Sequence, residues 1–160
     1  MSVGPRIVFV RFVTSESPKL TPWIAHTGRV IGTRARELQD AKPVHGIVVW
    51  QLVSGNSRQL ARGVEIHETF EDARDNATSV LNGGPALAVQ RVTEAGRGMY
   101  GWFASLDDNP VMTCARWYPT DRDSRRSIDL AIRSIPVTTL HEGARLTDPT
   151  LMAGDRGRIY

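Results

Sequence analysis

The feature that most constrains this chain is an internal repeat: the stretch that begins near Ile47 recurs near Gly98. Leu52-Val-Ser-Gly-Asn-Ser-Arg can be laid on Phe103-Ala-Ser-Leu-Asp-Asp-Asn, an offset of 51 residues. Ser54 then falls on Ser105, Leu60 on Val111, Ile66 on Trp117, Thr69 on Thr120, Ala77 on Ile128, Leu81 on Ile132 and Pro85 on Pro136, with no gap. An offset of 52 pairs Trp50 with Trp102, so the first strand shifts by one. Few positions are identical, but apolar positions stay apolar and the turn residues recur. A duplicated unit this short buries too little apolar surface to stand alone, so the copies must share one core.

Each copy reads as strand, turn, strand, helix, strand. Ile47 to Val53 is a β-branched, apolar run, and Ser54-Gly-Asn-Ser is a turn cluster in which Gly and Asn tolerate positive φ. Arg58 to Ile66 returns as a strand. In the second copy Tyr100 to Ser105 is the strand, Asp107-Asp-Asn-Pro the turn and Val111 to Tyr118 the return. Thr69 and Thr120 each precede a carboxylate by three residues, the spacing of a helix N-cap. Phe70, Ala73, Ala77, Val80 and Leu81 form one helical apolar stripe; Ser124, Ile128, Ala131, Ile132 and Ile135 form the other. Asn82-Gly-Gly-Pro stops the first helix and Pro136 the second, and short strands follow at Ala86 to Val92 and Val137 to His141.

This division predicts an N-terminal extension over 1–44, a first repeat over 45–92, a second over 86–142 that shares strand 86–92, and a loose tail over 143–160. In the extension, Arg6 to Val13 reads as a strand, and Trp23 to His26 with Arg29 to Thr33 as a hairpin about Thr27-Gly28.

Trp50-Gln-Leu-Val-Ser-Gly-Asn-Ser, the Leu60-Ala61 strand, and the helix from Thr69 through Ser79-Val80 resemble the YegP-like bacterial repeat. Ala88-Val-Gln-Arg-Val followed by Gly101-Trp-Phe is similar to the first strands of that unit, so the resemblance runs from Ile47 to His141. The sequence departs from the family pattern at Ser57, where the family turn has Gly, at Leu106-Asp-Asp-Asn, and at His67, where the family has an aromatic residue that Tyr118 keeps. The resemblance implies an α+β fold of tandem β-β-β-α-β units. They form one antiparallel sheet with two helices on one face and exchanged C-terminal strands, here with extra N-terminal strands. It brings no catalytic residue.

Composition narrows function mainly by exclusion. No apolar run reaches the ~20 residues of a membrane helix. The short apolar stretch before Val13, broken by Arg11, is not a signal peptide, and a cytoplasmic protein is expected. The single cysteine, Cys114, allows no internal disulfide and reads as a packed thiol. Net charge is +3, and only Lys19 and Lys42 among the 20 basic residues are lysine. That bias matches a GC-rich genome and carries little weight for nucleic acid.

No constellation points to an enzyme. His26, His45, His67 and His141 lack ligand spacing; Glu65-Ile-His-Glu reads as a solvated strand end. Neither Ser54-Gly-Asn-Ser nor Gly83-Gly84-Pro85 has the Lys of a phosphate loop. No cofactor or metal is expected. The unusual stretch is the second helix, with Arg122, Arg125, Arg126 and Arg133 off its apolar stripe and Arg116, Trp117 and Tyr118 just before it. Asp121 with Arg125 and Asp129 with Arg133 are spaced as i, i+4 ion pairs. The expectation is a non-enzymatic protein-interaction module, bacterial or phage-encoded, that binds a protein partner or itself through Arg116, Trp117, Tyr118, Arg122, Arg125, Arg126 and Trp102. The alternative is nucleic-acid binding through the arginine-rich helix and exposed tryptophans.

Overall fold

The computed structural model describes residues 4–14, 17–32, 45–94 and 96–146. Its strands are β1 (Arg6–Thr14), β2 (His45–Val53), β3 (Gln59–Gly63), β4 (Ala88–Glu94), β5 (Met99–Leu106), β6 (Asn109–Cys114) and β7 (Thr139–Leu146). Its α-helices are α1 (Leu20–Ile31), α2 (Phe70–Asn82) and α3 (Asp121–Ser134). The strands form one sheet in the order β4-β5-β6-β3-β2-β1-β7. Every described pairing is antiparallel except β1 with β7, which is parallel and departs from the all-antiparallel expectation.

β1, β2 and β3 form one antiparallel meander, and β4, β5 and β6 another. They meet where Ala61 of β3 pairs with Cys114 of β6. After α2 the chain runs into β4, at the far end beside β5; after α3 it crosses back to β7, beside β1. Each meander is thus completed by the segment that follows the other meander's partner helix.

Alternation along β2 separates two cores. Val48, Trp50 and Leu52 join Ile7 and Phe9 of β1 and Ala73, Ala77 and Val80 of α2; the Phe9 and Phe70 rings meet edge-on at 4.8 Å. Ile47 and Val49 join Val10 and Phe12 with Leu20 and Trp23 of α1. So α1 covers the side of β2 opposite Trp50. The hairpin expected about Thr27-Gly28 is therefore a helix, and one strand rather than several extends the sheet at the N-terminus. Its buried residues Leu20, Trp23, Thr27 and Val30 fall at helical spacing, and His26 Nε2 donates to the Cys114 carbonyl at 2.7 Å. β7 also runs through Leu146, four residues into the stretch read as a loose tail; 147–160 lie outside the described residues.

Both turns carry positive φ, though not where Gly and Asn predicted it. Ser57 has φ 66° in the first hairpin, and Asp107 and Asp108 have φ 50° and 65° in the second. Both helix caps form: Thr69 Oγ1 accepts from Asp72 N and Thr120 Oγ1 from Asp123 N, each at 3.0 Å. A 3₁₀ turn ends each helix region, at Gly84–Ala86 and Ile135–Val137.

Candidate anion-binding cleft

The seam between the meanders gathers arginines that are far apart in the chain. Arg58 ends the first hairpin turn, Arg116 follows β6 and Arg126 lies on α3. All three line one cleft of about 200 Å³ with Tyr118, Asp123, Ser127 and Leu130. A shallower groove of about 440 Å³ continues along α3, between Arg122, Arg125, Arg126, Asp129, Leu130 and Arg133.

The wall of the cleft is held by polar contacts that begin in the core. Trp102 is fully buried, and its indole Nε1 donates to Ser127 Oγ at 3.0 Å. Tyr118 lines the cleft beside Ser127, and burial is the main cause that pushes its phenol above its ordinary pKa. The backbone of Tyr118 is pinned to Tyr100 by reciprocal 2.8 Å bonds. Arg116 extends over the Tyr118 ring, 6.0 Å from its centroid. Tyr118 and Ser127 are therefore fixed by the fold, and the arginines stand around them.

Acidic residues on α3 do not cancel this charge evenly. Asp121 is held by Arg91 of β4, whose Nη1 lies 3.1 and 3.0 Å from its two oxygens, and by Arg125 at 3.2 Å. The expected Asp121–Arg125 pair forms, but no Asp129–Arg133 pair does among the described residues. Arg122, Arg126 and Arg133 fall along one side of the helix with Leu130, and Val137 follows at the same spacing. Leu130 and Val137 are 44% and 65% exposed; among the described residues only Val89, at 36%, is a further exposed large apolar residue.

The expected partner-binding residues separate into three groups. Arg116, Tyr118 and Arg126 line the inner cleft; Arg122, Arg125 and again Arg126 line the outer groove. Trp117 is half-buried against Gly101, where an added Cβ would come within 2.9 Å of the indole. Trp102 is withdrawn from any partner by complete burial, which corrects its place among the contact residues. Arg58 and Leu130 were missed. Arg58 reaches the site because β3 pairs with β6, a neighbour relation between the two meanders that periodicity along neither stretch contains.

Other groups weighed from the sequence play no part in this cleft. Cys114 is buried, its thiol pushed up to about 11 by burial, and its Sγ accepts from Trp102 N at 3.4 Å. Glu65 is not freely solvated: its Oε2 accepts from Asn76 Nδ2 at 2.8 Å. Among the described residues no helix is long and apolar enough to cross a membrane.

No family model matches the chain, and no curated protein does. A solved structure does: the solution NMR structure of yegP, a protein of unknown function from E. coli. It is 11% identical at a TM-score of 0.49, over 92% of this chain and 95% of that one.

Proposed function

We propose that this chain is a non-enzymatic protein-interaction module whose docking surface is α3 and the seam beside it. The observation that carries the reading is the run of Arg122, Arg126 and Arg133 with exposed Leu130 between them. A surface of this kind suits an acidic partner segment that also offers an apolar side chain. Interface energy concentrates in arginines and well-packed apolar anchors, while rim charges mainly steer encounter. Nucleic acid fits less well: Asp123 and Asp129 interleave with the arginines, and Trp50 and Trp102 are buried rather than available for stacking.

The same reading takes the fold as two copies of one unit sharing a sheet, with α2 and α3 as equivalent helices. Three matched pairs of contacts support it. Val48 bridges His67 as Tyr100 bridges Tyr118. Trp50 Nε1 donates to Asn76 on α2 as Trp102 Nε1 donates to Ser127 on α3. Thr69 caps α2 as Thr120 caps α3.

The test is fluorescence anisotropy with a labelled glutamate-rich peptide containing one leucine, beside a single-stranded oligonucleotide of equal charge. Saturable peptide binding is expected, weakened about tenfold by Arg126→Glu or Leu130→Ser and unaffected by Arg97→Glu on the β4–β5 turn, which lines neither the cleft nor the groove. Tighter binding of the oligonucleotide, or equal effects of all three substitutions, would contradict the reading.

A further inference from the structure

We infer that the inner cleft is a receptor for a phosphoryl group, so that the partner docks on this face in a phosphorylated form. The inference rests on the docking surface proposed above and names what its deepest point holds.

Charge balance is the first support. Arg58, Arg116 and Arg126 line the cleft with Asp123, three positively charged residues against one negative, an excess of two positive charges. None of the three arginines forms an ion pair among the described residues. A phosphomonoester carries about −1.5 to −2 at neutral pH, with three strong acceptor oxygens; a glutamate side chain offers one charge and two. Guanidinium forks match phosphate oxygens in pairs, and Tyr118, its backbone pinned to Tyr100, lines the same cleft.

Comparison within the chain is the second. The positions 51 residues before Arg116, Tyr118 and Ser127 are Glu65, His67 and Asn76. There Asn76 takes the Trp50 indole at 2.7 Å and donates to Glu65 at 2.8 Å. Both places satisfy a buried indole N–H from a helix side chain, and each bridges a residue, His67 or Tyr118, to the neighbouring strand. Framework needs are thus met equally with a carboxylate or a guanidinium at the outer position. Packing does not demand Arg116, and the sign of the charge is free to serve a ligand. An anion is the ligand that the second place can take and the first cannot.

A phosphodiester is the less suitable occupant. It carries a single charge, and a chain continuing beyond it brings further phosphates to a lining that includes Asp123. A terminal phosphoryl group on a side chain meets neither difficulty, and Leu130 at the mouth is placed for an apolar neighbour in the same peptide.

Side-chain Nε–Hε NMR signals of the intact chain provide the test, with N-acetyl-O-phosphoserine amide as probe and N-acetylglutamate amide and dimethyl phosphate as comparators. The signals of Arg58, Arg116 and Arg126 are expected to shift together and saturably. Phosphoserine is expected to bind about tenfold tighter than either comparator. Arg116→Gln, at an exposed position, should remove that advantage while thermal stability stays unchanged. Equal affinity for all three probes, or shifts spread evenly over Arg125 and Arg133, would overturn the inference. If phosphoserine fills the cleft but the glutamate-rich peptide does not bind α3, the receptor stands and the wider docking surface falls. Peptide binding without a phosphoserine preference removes the receptor alone.

Discussion

Ser57 holds the left-handed conformation that closes the first hairpin, with φ 66°, and it stands where the YegP-like pattern has glycine. An L-residue pays about 1–2 kcal/mol for that conformation, and glycine pays almost none of it. The Ser57 hydroxyl returns only an exposed bond from Arg6 at 3.0 Å. Ser57→Gly is therefore expected to stabilise the chain by about 0.5–1 kcal/mol, seen as a higher denaturant midpoint at unchanged slope. Cys114 gives a second residue-level prediction. Its thiol ionises near 9.0 when exposed and about 11 in the fold. The folded state thus holds its proton longer, so stability from this group is intact below pH 9.0 and is lost as pH rises toward 11. At pH 8 a thiol reagent should label Cys114 only as fast as the chain opens, and Cys114→Ser should lessen the alkaline loss of stability. Fast labelling of the native chain would contradict its burial.

At the scale of elements, local signals and packing disagree in one place. Thr69 and Thr120 announced α2 and α3 correctly, because a cap is a local interaction that the sequence spells out. Thr120→Ala should cost about 1 kcal/mol in chemical denaturation and weaken binding at the α3 face, since Thr120 holds the first turn beside Asp121 and Asp123. α1 was read as a hairpin because Thr27 and Gly28 disfavour a helix interior and resemble a turn. The helix forms because Leu20, Trp23, Thr27 and Val30 bury one stripe on the sheet, with Pro22 in the first turn where no backbone donor is needed. That stripe was legible at 3.6-residue spacing, but the Gly outweighed it. The strand read at Val137 to His141 begins only at Thr139, after the 3₁₀ turn Ile135–Val137, and it continues to Leu146. Its stability comes from parallel pairing with β1, which no nearby residue signals.

For the whole molecule, the order of strands decides what the surface offers. The arginines of the second helix were visible in the sequence; the cleft was not. It exists because β3 and β6 join the two meanders and bring Arg58 beside Arg116 and Arg126. The sheet side opposite Trp50 is covered over β1 and β2 by α1. The outer side of α3 is where positive charge and the exposed Leu130 coincide. The most direct measurement is a charge swap. The double variant Arg122→Glu with Arg126→Glu is titrated by fluorescence anisotropy with the leucine-containing peptide in its glutamate and lysine forms. Docking through α3 predicts that the variant loses the glutamate peptide and gains the lysine one, while the native chain shows the reverse preference. Unchanged preference in the variant would contradict it.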